Sequence, residues 1–571
     1  MSSPRIRPFG TVAAFIALSL VLAACGSSSK SPSATGSSTT TFGGAVPNGG
    51  TIVIGAEQEP DCFDWIGACS GSSWGTWMAQ IQTQPFAFVD VMKNGQLVEE
   101  PGPVLAGMPG FKATPVETIT YNINPAAKWS DNVPITCADF QYTALQQQSG
   151  ADIYDPTGYV DAAGNPNMTV TCPTPKTAVV TYKAGTSFAG WHQLFASATG
   201  IFPSHLLKGK NRDALLKNGY TWSGGPWIAK WNKGTSIVLT PNANYWGPKP
   251  HLDKVVFDFE SDTAAEFQAF KSGQVQAIYP QPQIDVVDQI KQGLTGAHTQ
   301  YQSQTAAVEA LWFNNAAFPF DSVAVRRAIG YAVDRAAIVK KLFGPLGVSA
   351  PANSLNPYVL RDYSDQNAFA KYKLDLGMVT TLMTGDGWKK GADGIWAKSG
   401  KRAAFSISTT AGNKRRELTE EILQPELKAA GFDMSIKNTS ADNLFGKVIV
   451  NGTYQVALFA QSVTGIIPGL CSTLCTQNIP TPGNKYTGNN TTRTSIASAD
   501  KLMQQVDNNL DDSVRRSSAK QADDILADAD VSLPLDPLPD ILVWSDKVVG
   551  PVQDNPIDGM FWNIDQWGLK K

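Results

Sequence analysis

An uncharged apolar stretch near the N-terminus, followed by a segment that cannot fold by itself, divides this chain into a short leader and a long body. Residues 11–24 carry no charge and come after Arg5 and Arg7. The stretch is too short to cross a bilayer core of about 30 Å, so it is typical of the apolar part of a signal peptide. Residues 26–50 are almost all Gly, Ser, Thr, Pro and Ala, which predicts a flexible linker.

The residues at the end of the apolar stretch predict how the long C-terminal body of the chain is attached to the membrane. Leu22-Ala23-Ala24-Cys25 is followed by Gly26 and resembles the cleavage site of bacterial lipoproteins. The resemblance implies that residues 1–24 are removed, that Cys25 is lipidated, and that residues 25–50 tether the body to the outer face of the cytoplasmic membrane. An ordinary secreted protein with an unrelated cysteine is the alternative.

Six further cysteines fit an oxidising compartment, where an even number favours disulfides. Because loop closure favours near neighbours, we expect three pairs, with free buried thiols as the alternative. The pairs are Cys62–Cys69, Cys137–Cys172 and Cys471–Cys475.

The composition of the chain, and the catalytic and metal-binding motifs that it lacks, limit the functions that are compatible with the sequence. The 571 residues are enough for about three to five domains. Lys and Arg number 46 against 49 Asp and Glu, which excludes a strongly basic nucleic-acid binder. The four histidines form no zinc pattern, and the chain has neither a phosphate-binding loop nor a G-x-S-x-G elbow. We therefore expect no metal, no cofactor and no enzyme.

Strand-like and helical segments alternate along the body, which predicts an α/β fold. Short apolar runs such as residues 51–55 and 255–259 predict strands. Apolar spacing predicts helices over residues 323–343, 414–430 and 498–528, the second ending at Gly431.

Five segments in a fixed order resemble the family 5 extracellular solute-binding proteins, which feed peptide and nickel ABC transporters. They cover most of residues 51–545 and come after the lipoprotein-like leader. They are Glu57–Asp64, Trp129–Phe140, Ser223–Trp227 with Pro241–Trp246, Phe267–Ala277, and Leu311–Asn314 with Val325–Arg335.

The resemblance implies an α/β, two-lobed periplasmic-binding-protein-like fold (type II, cluster C) with an extra inserted N-terminal domain. It implies a monomer whose lobes close on a solute by a hinge motion and deliver it to an ABC permease and its ATPases. Lobe I would comprise residues 51–85, 201–307 and 536–571. The insertion would be residues 86–200, and lobe II residues 308–535.

Several motif residues predict structural roles. Thr136 would cap a helix that carries Asp139 and Tyr142. Residues 224–226 (Gly-Gly-Pro) would form a tight turn. Arg326, Asp334 and Arg335 would form ion pairs on one helix.

Two segments supply most of the candidate ligand contacts that the resemblance implies. The loop after the first strand offers Gln58, Glu59 and Asp61. The strand around residue 407 leads through Thr409, Thr410 and Asn413 into a helix whose free N–H groups favour anions. Arg416 in its first turn would meet a ligand carboxylate, with an ion pair to Glu420 as the alternative.

A departure from the family pattern lies at residues 454–462. Peptide-binding members often carry an aspartate there that pairs with the peptide amine, whereas this chain places Phe459, Gln461 and Ser462 in that region and no acid after them. Either Glu59 or Asp61 replaces it, or the ligand has no free amine there, because a buried ammonium needs acceptors. Trp312, Asn314 and Tyr486 complete the candidate contacts.

The sequence therefore predicts a lipid-anchored receptor that captures oligopeptides for an ABC importer. One alternative keeps the fold but changes the ligand to a nickel chelate, haem, an oligosaccharide or an opine-like compound. Another is a receptor that senses peptide without transport. A secreted hydrolase such as a paired-carboxylate glycosidase is disfavoured by the five segments.

Overall fold

A computed structural model describes residues 45–570, apart from residues 68–71, 95, 151, 162, 198, 303–304, 347, 349, 464 and 466–469. The predicted signal segment, Cys25 and most of the linker lie outside the described residues, as does Cys69. Within the described part, every helix is too short or too polar to cross a membrane.

Most of the strands are short. In chain order they are β1 (Thr51–Ala56), β2 (Phe88–Lys93), β3 (Gln96–Pro101), β4 (Gly110–Lys112), β5 (Thr118–Asn122), β6 (Met168–Thr174), β7 (Thr177–Tyr182), β8 (Trp227–Asn232), β9 (Ser236–Pro241), β10 (Lys254–Phe259), β11 (Ala277–Ile278), β12 (Ala297–Gln302), β13 (Ala307–Phe313), β14 (Lys389–Lys390), β15 (Trp396–Lys398), β16 (Lys401–Arg402), β17 (Ala404–Ser408), β18 (Asp433–Ile436), β19 (Val456–Ser462), β20 (Leu533–Pro537), β21 (Asp540–Ser545), β22 (Val548–Val549) and β23 (Gly568–Leu569).

The longest helices lie in the C-terminal half of the chain. In chain order the α-helices are α1 (Ser73–Gly75), α2 (Ile81–Thr83), α3 (Cys137–Ser149), α4 (Ser204–Leu207), α5 (Arg212–Leu216), α6 (Thr263–Lys271), α7 (Ile284–Lys291), α8 (Val323–Ala332), α9 (Arg335–Phe343), α10 (Leu376–Gly385), α11 (Lys414–Ala430), α12 (Ala441–Asn443), α13 (Leu470–Leu474), α14 (Ala497–Asn508) and α15 (Asp512–Asp528).

Two large sheets form two lobes. The first, a seven-stranded sheet, has the order β12-β21-β11-β1-β10-β9-β8, and β1 runs parallel to both neighbours. The second, a five-stranded sheet, has the order β18-β17-β19-β13-β20. Each sheet packs into its own apolar core, the second built from residues between 310 and 535. The α/β class and the two-lobed fold predicted from the sequence are confirmed.

The chain crosses between the two sheets twice. It leaves the first sheet after β12 and enters the second at β13, and it returns between β20 and β21. The crossings are tied together, because the Thr305 hydroxyl donates to the carbonyl oxygen of Leu538 at 2.7 Å. Two short adjacent crossings are what a hinge between lobes requires.

A third core is formed by residues that come after β1 and before β8 in the sequence, in the segment that we call the insertion. It is built from residues between 87 and 201 around the four-stranded sheet β4-β5-β7-β6 and α3. Thr136 and Asp139 form a capping box at the start of α3, so the predicted cap is confirmed.

Two of the three expected disulfides join described residues. Cys137 at the start of α3 is bonded to Cys172 in β6, and Cys471 is bonded to Cys475 across α13. The Cys62–Cys69 pair remains a prediction because Cys69 lies outside the described residues.

Two predicted helices are divided in the structure. The helix expected over residues 323–343 breaks after α8, because Asp334 leaves the helix and accepts from the Ala337 N–H as the cap of α9. Ser322 caps α8, and its side chain accepts from the Val325 N–H. The helix expected over residues 498–528 breaks in the same way, with Asp511 capping α15. The third, α11, has the predicted bounds and ends at Gly431, whose φ is 99°.

The expectation that Arg326, Asp334 and Arg335 form ion pairs on one helix is wrong, because Arg326 lies on α8, Arg335 begins α9 and Asp334 caps α9. Arg335 donates instead to backbone carbonyl oxygens, among them Ala352 at 2.7 Å and Tyr372 at 2.8 Å. The Arg326 guanidinium likewise donates to the Phe320 carbonyl at 2.6 Å. These arginines fasten loops to the lobe II core, because a guanidinium offers five donors in a fixed plane.

The Gly224-Gly225-Pro226 turn is needed for close backbone approach. A Cβ on Gly225 would lie 2.5 Å from the Gln82 carbonyl oxygen. We therefore expect Gly225→Ala to lower the free energy of unfolding by about 1–3 kcal/mol, measured by urea denaturation. Gly385→Ala is the matched control, since a Cβ there meets nothing within 4 Å. Equal stability of the two variants would contradict this reason for the glycine.

Candidate ligand-binding site

The loop after β1 places one carboxylate toward the second lobe. Glu57 follows the last residue of β1 and accepts from the Thr263 hydroxyl at 2.7 Å and from the Gln281 N–H at 3.1 Å. Burial raises the pKa of Glu57, while the charge of Arg415 from lobe II acts in the opposite direction. The two lobes therefore interact electrostatically at this point.

A buried ion cluster faces Glu57 from lobe II. Glu309 on β13 accepts from Arg415 Nη2 at 3.1 Å and from Arg416 Nε at 2.7 Å. The side chains of Glu309 and Arg415 are 1% exposed and that of Arg416 is 12% exposed. Burial alone would raise the pKa of Glu309, but the two guanidinium groups outweigh it and lower the pKa.

Asp536 is the second acid of the cluster. It lies on β20 opposite Glu309, and burial raises its pKa to about 7 although Arg415 acts against this. Arg415 and Arg416 thus face Glu309, whose pKa is lowered, and two further carboxyl groups, Glu57 and Asp536, whose pKa values are raised.

Arg416 is the more exposed of the two arginines in this cluster. It pairs with Glu309 rather than with Glu420, which accepts from Asn438 Nδ2 at 2.7 Å. Its Nε and Nη2 donate to Glu309, and Nη1 has no hydrogen bond among the described residues. Asn413 caps α11 beneath it, accepting from the Arg416 N–H at 3.1 Å.

The other candidates on the end of β17 hold the strand in place. The Thr409 hydroxyl donates to the Leu458 carbonyl at 2.7 Å, and its N–H donates to Asn438. Thr410 forms an isolated bridge with Thr439. Their side chains stand next to the start of α11.

Trp312, Phe459 and Asn314 lie in the core of the second sheet. The Trp312 indole donates to the Phe459 carbonyl at 2.8 Å, and the two rings stack at 5.3 Å. Asn314 donates to the carbonyls of Gly452 and Tyr454. All three are buried and have structural partners.

Gln461, Ser462 and Tyr486 are more accessible. Gln461 and Ser462 end β19 where β13 enters the sheet, and Ser462 is paired with Ala307 next to the crossing. Tyr486 is 39% exposed and has a φ of 60°. Among the predicted contacts Tyr486 is exposed, and Gln461, Ser462, Arg416, Thr410, Asn413 and the residues of the first loop are partly exposed.

In the first loop, Glu59 points away from lobe II. Its Oε1 accepts from the Trp231 indole and from the Gly234 N–H, both at 2.8 Å, so it is fixed on the β8–β9 hairpin. Gln58 donates to the Ser72 hydroxyl, and Asp61 is partly buried further along the loop. Glu57 was not among the residues predicted to contact a ligand, although its place at the carboxyl end of a buried parallel strand was a usable signal.

A cavity of about 250 Å³ lies between the insertion and lobe II. Asn167 and Phe188 line it from the insertion, and Cys471 and Asp507 line it from lobe II. The Ala189 N–H donates to the Asp507 carbonyl at 2.7 Å beside it. Asp507 was not predicted, because nothing in the sequence places it against the insertion.

A group of three acids, two from lobe I and one from the insertion, has the spacing of metal ligands, namely Asp64, Asp213 and Asp152. Arg212 Nε already donates to both oxygens of Asp64, at 2.8 and 2.9 Å. Arg212 supplies the positive charge that a cation would bring, so we interpret Asp64 and Arg212 as an ion pair.

Two α/β lobes joined by two crossings, with a charged site where the lobes face each other, define a solute-binding protein of the kind that serves ABC transporters. The model of the family described as "Bacterial extracellular solute-binding proteins, family 5 Middle" matches residues 100–468, which is more than half of the chain. The chain belongs to this family.

Curated relatives agree with this membership. A Brucella ovis protein named as an ABC transporter peptide-binding protein is 29% identical over 292 residues, covering 49% of this chain and 51% of the relative. The oligopeptide-binding protein OppA of Lactococcus lactis is 28% identical over 221 residues, 36% of each chain. The chain thus matches about half the length, or less, of these relatives.

Solved structures show the same fold with diverse ligands. The oligopeptide-binding protein AppA of Bacillus subtilis, in complex with a nonapeptide, has a TM-score of 0.79 at 18% identity, covering 92% of this chain and 100% of that one. NikZ of Campylobacter jejuni, in complex with Ni(L-His), has a TM-score of 0.75 at 18% identity, covering 91% and 99%. At these identities the likeness establishes the fold alone.

Proposed function

We propose that this protein captures oligopeptides between its two lobes and delivers them to an ABC permease, without a catalytic role of its own. The observation that carries the proposal is the interlobe cluster, where Arg416 is partly exposed and its Nη1 lacks a hydrogen bond among the described residues. A peptide carboxylate supplies a planar pair of acceptors that matches a guanidinium.

The peptide would lie along the exposed ends of the lobe II strands. Its carboxylate would meet Arg416, with Thr410, Gln461 and Ser462 offering polar contacts along the chain. Main-chain contacts of this kind leave ligand side chains free, which suits broad specificity. Closure about the crossings at Thr305 and Leu538 would enclose the peptide.

One observation favours a second candidate, a solute without a free amine. Residues 454–475 contain no acid that could pair with a peptide amine. Glu59, one of the two residues predicted to take that role, is held instead by hydrogen bonds to the β8–β9 hairpin. Such a solute would be an opine-like compound or a metal chelate carrying carboxylates, and Arg416 would serve it equally well. Haem and oligosaccharides remain further alternatives, and sensing without transport remains the alternative role.

Native mass spectrometry of the full chain, purified without denaturation, separates these ligands. Bound masses that differ by amino-acid residue masses would support the peptide proposal. A single mass that is not a peptide, or a bound metal, would replace it with the second candidate.

Arg416→Gln is expected to weaken binding of a peptide with a free carboxylate about 10- to 100-fold, since hydrogen bonds to charged groups contribute about 1.5–3 kcal/mol. Binding is measured by calorimetry with a penta-alanine peptide and its C-terminally amidated form. Lys414→Gln is the control, because Lys414 lies in the same helical turn but is 65% exposed.

The amidated peptide makes this test specific. Arg416 also donates to Glu309, so the substitution lowers stability as well as removing a ligand donor. If both peptides lose the same affinity in Arg416→Gln, the residue holds the lobe together and does not bind the carboxylate.

We also propose that Cys25 carries the lipid anchor. The support is the lipoprotein-like sequence at residues 22–26 and the linker after it. Cys25→Ala protein is expected to move from the membrane fraction to the soluble fraction, followed by immunoblotting. Retention in the membrane fraction after a high-salt wash would reject the anchor. Loss of labelled-peptide uptake on deletion would separate transport from sensing.

A further inference from the structure

A second cavity lies on the side of lobe I that faces the insertion, away from the interlobe cluster. Its volume is about 170 Å³. Its walls come from the segment after α2, the β2–β3 hairpin, the Gly224–Pro226 turn, residues 245–246 and the C-terminal residues 558–566. It shares no residue with the proposed peptide site.

Two buried acids stand together in this cavity. Asp90 and Asp558 are each 5% exposed, and the charge of Asp558 raises the pKa of Asp90, as expected for two neighbouring acids. Asn555 fixes both segments, because its amide donates to the Asp90 carbonyl at 2.8 Å and accepts from the Asp558 N–H at 3.1 Å. The pair is therefore held in place by the fold.

The Asp90 side chain lacks a partner. Its Oδ1 is buried and has no hydrogen bond among the described residues, and the same holds for Nε2 of Gln84, which also lines the cavity. Burial raises the pKa of Asp90 well above its ordinary value, and Asp558 and Glu99 raise it further. None of the described residues that line the cavity is Lys or Arg. The Asp90 carboxyl group thus offers a buried oxygen without a hydrogen-bond donor, beside a second buried carboxyl group.

The remaining walls are apolar and aromatic. Trp246 and Trp562 use their indole N–H groups elsewhere, on the carbonyls of Pro103 at 3.2 Å and Gln553 at 2.9 Å, so they bring ring surface to the cavity. Phe86 and Val104 add further apolar surface. Aromatic faces beside carboxylates suit an organic cation. A metal ion fits poorly, because no group of three carboxylate, Cys or His ligands among the described residues includes Asp90 or Asp558.

We propose that this cavity is a second binding site, for a small alkylammonium ion, with the ammonium between Asp90 and Asp558 and the alkyl group against Trp246 and Trp562. A primary amine supplies the donors that Asp90 Oδ1 lacks. The apolar end fills space that water would occupy without hydrogen-bond partners.

Calorimetric titration of the full chain with n-butylammonium chloride tests this site. We expect saturable binding with one site, and no binding of n-butanol, which has nearly the same shape without the charge. Asp90→Asn and Asp558→Asn should each weaken binding at least about tenfold, because each removes a desolvated charge partner. Glu100→Gln is the control, on the same hairpin but exposed and paired with Lys93.

Three results would overturn the proposal. They are no saturable binding of n-butylammonium, equal binding of n-butanol, and unchanged affinity in both aspartate variants. Asn has the same shape as Asp and removes a buried charge, so both variants are expected to fold, and thermal unfolding of each verifies this. Peptide binding at the interlobe site is measured in parallel and is expected to stay unchanged.

Discussion

Glu309→Gln is expected to lose about 3–5 kcal/mol of unfolding free energy, one of the largest losses for a single substitution in this chain. Glu309 and Arg415 are each 1% exposed, and Glu309 also accepts from Arg416. The amide removes the one firmly ionised carboxylate of the cluster and leaves two guanidinium groups without it. Urea denaturation followed by tryptophan fluorescence measures the loss.

The matched control for this prediction is Glu417→Gln. Glu417 pairs with Lys414 on the same helix, α11, and the two side chains are 30% and 65% exposed, against 1% for Glu309. Exposed ion pairs contribute about 0–1 kcal/mol, so this variant should stay close to the parent. If Glu309→Gln also stays within 1 kcal/mol of the parent, then Arg415 and Arg416 find other acceptors, and the cluster does not depend on Glu309.

The Glu309 cluster also shows a limit of prediction from the sequence, because the partners of its side chains are far apart in the chain. Arg416 was singled out from its position in the first turn of a helix, which is a local signal. Its partner lies 107 residues earlier, and only the pairing of β13 within the second sheet brings it near. The alternative partner, Glu420, satisfied the local spacing, but Asn438 occupies it instead.

The same limit applies to Glu57, Glu59 and the divided helices. Loop residues after β1 were expected to face the cleft, yet which acid does so depends on the β8–β9 hairpin that binds Glu59. Helical spacing ran unbroken through Asp334, but its side chain competes for a backbone N–H and starts a new helix. The order of the elements, the fold class and most helix ends could be predicted from local sequence. The partners of individual side chains depend on segments that are distant in the chain.

Asp507 is expected to make the protein less stable as the pH rises from 5 to 8. Burial raises the pKa of Asp507 to about 8; Asp155 adds to this effect, while the Cys471 N–H and Arg515 oppose it. Between the ordinary aspartate pKa and this value, the folded protein keeps a proton that the unfolded chain has lost. Stability due to this group is therefore greatest at low pH and falls by up to about 1.4 kcal/mol per pH unit through this window.

Asp507→Asn isolates this contribution. The amide keeps an oxygen for the Cys471 N–H, which donates to Oδ2 at 3.3 Å, and places an uncharged NH2 where the unpartnered Oδ1 lies. Other buried acids such as Glu117, with a pKa of about 7, change stability in the same direction in both proteins, so the difference between them reports Asp507. We expect the variant to gain about 3–4 kcal/mol relative to the parent between pH 5 and pH 8.

Urea denaturation at each pH unit, at constant ionic strength, measures that difference. Asp511→Asn is the control, because Asp511 is an exposed cap of α15 whose pKa is lowered by the hydrogen bonds it accepts from Ser513, so it does not titrate in this range. Parallel stability curves for Asp507→Asn and the parent would show that the carboxylate ionises without cost. In that case water in the cavity between the insertion and lobe II hydrates the charge, which means that this cavity is open to water in the folded protein.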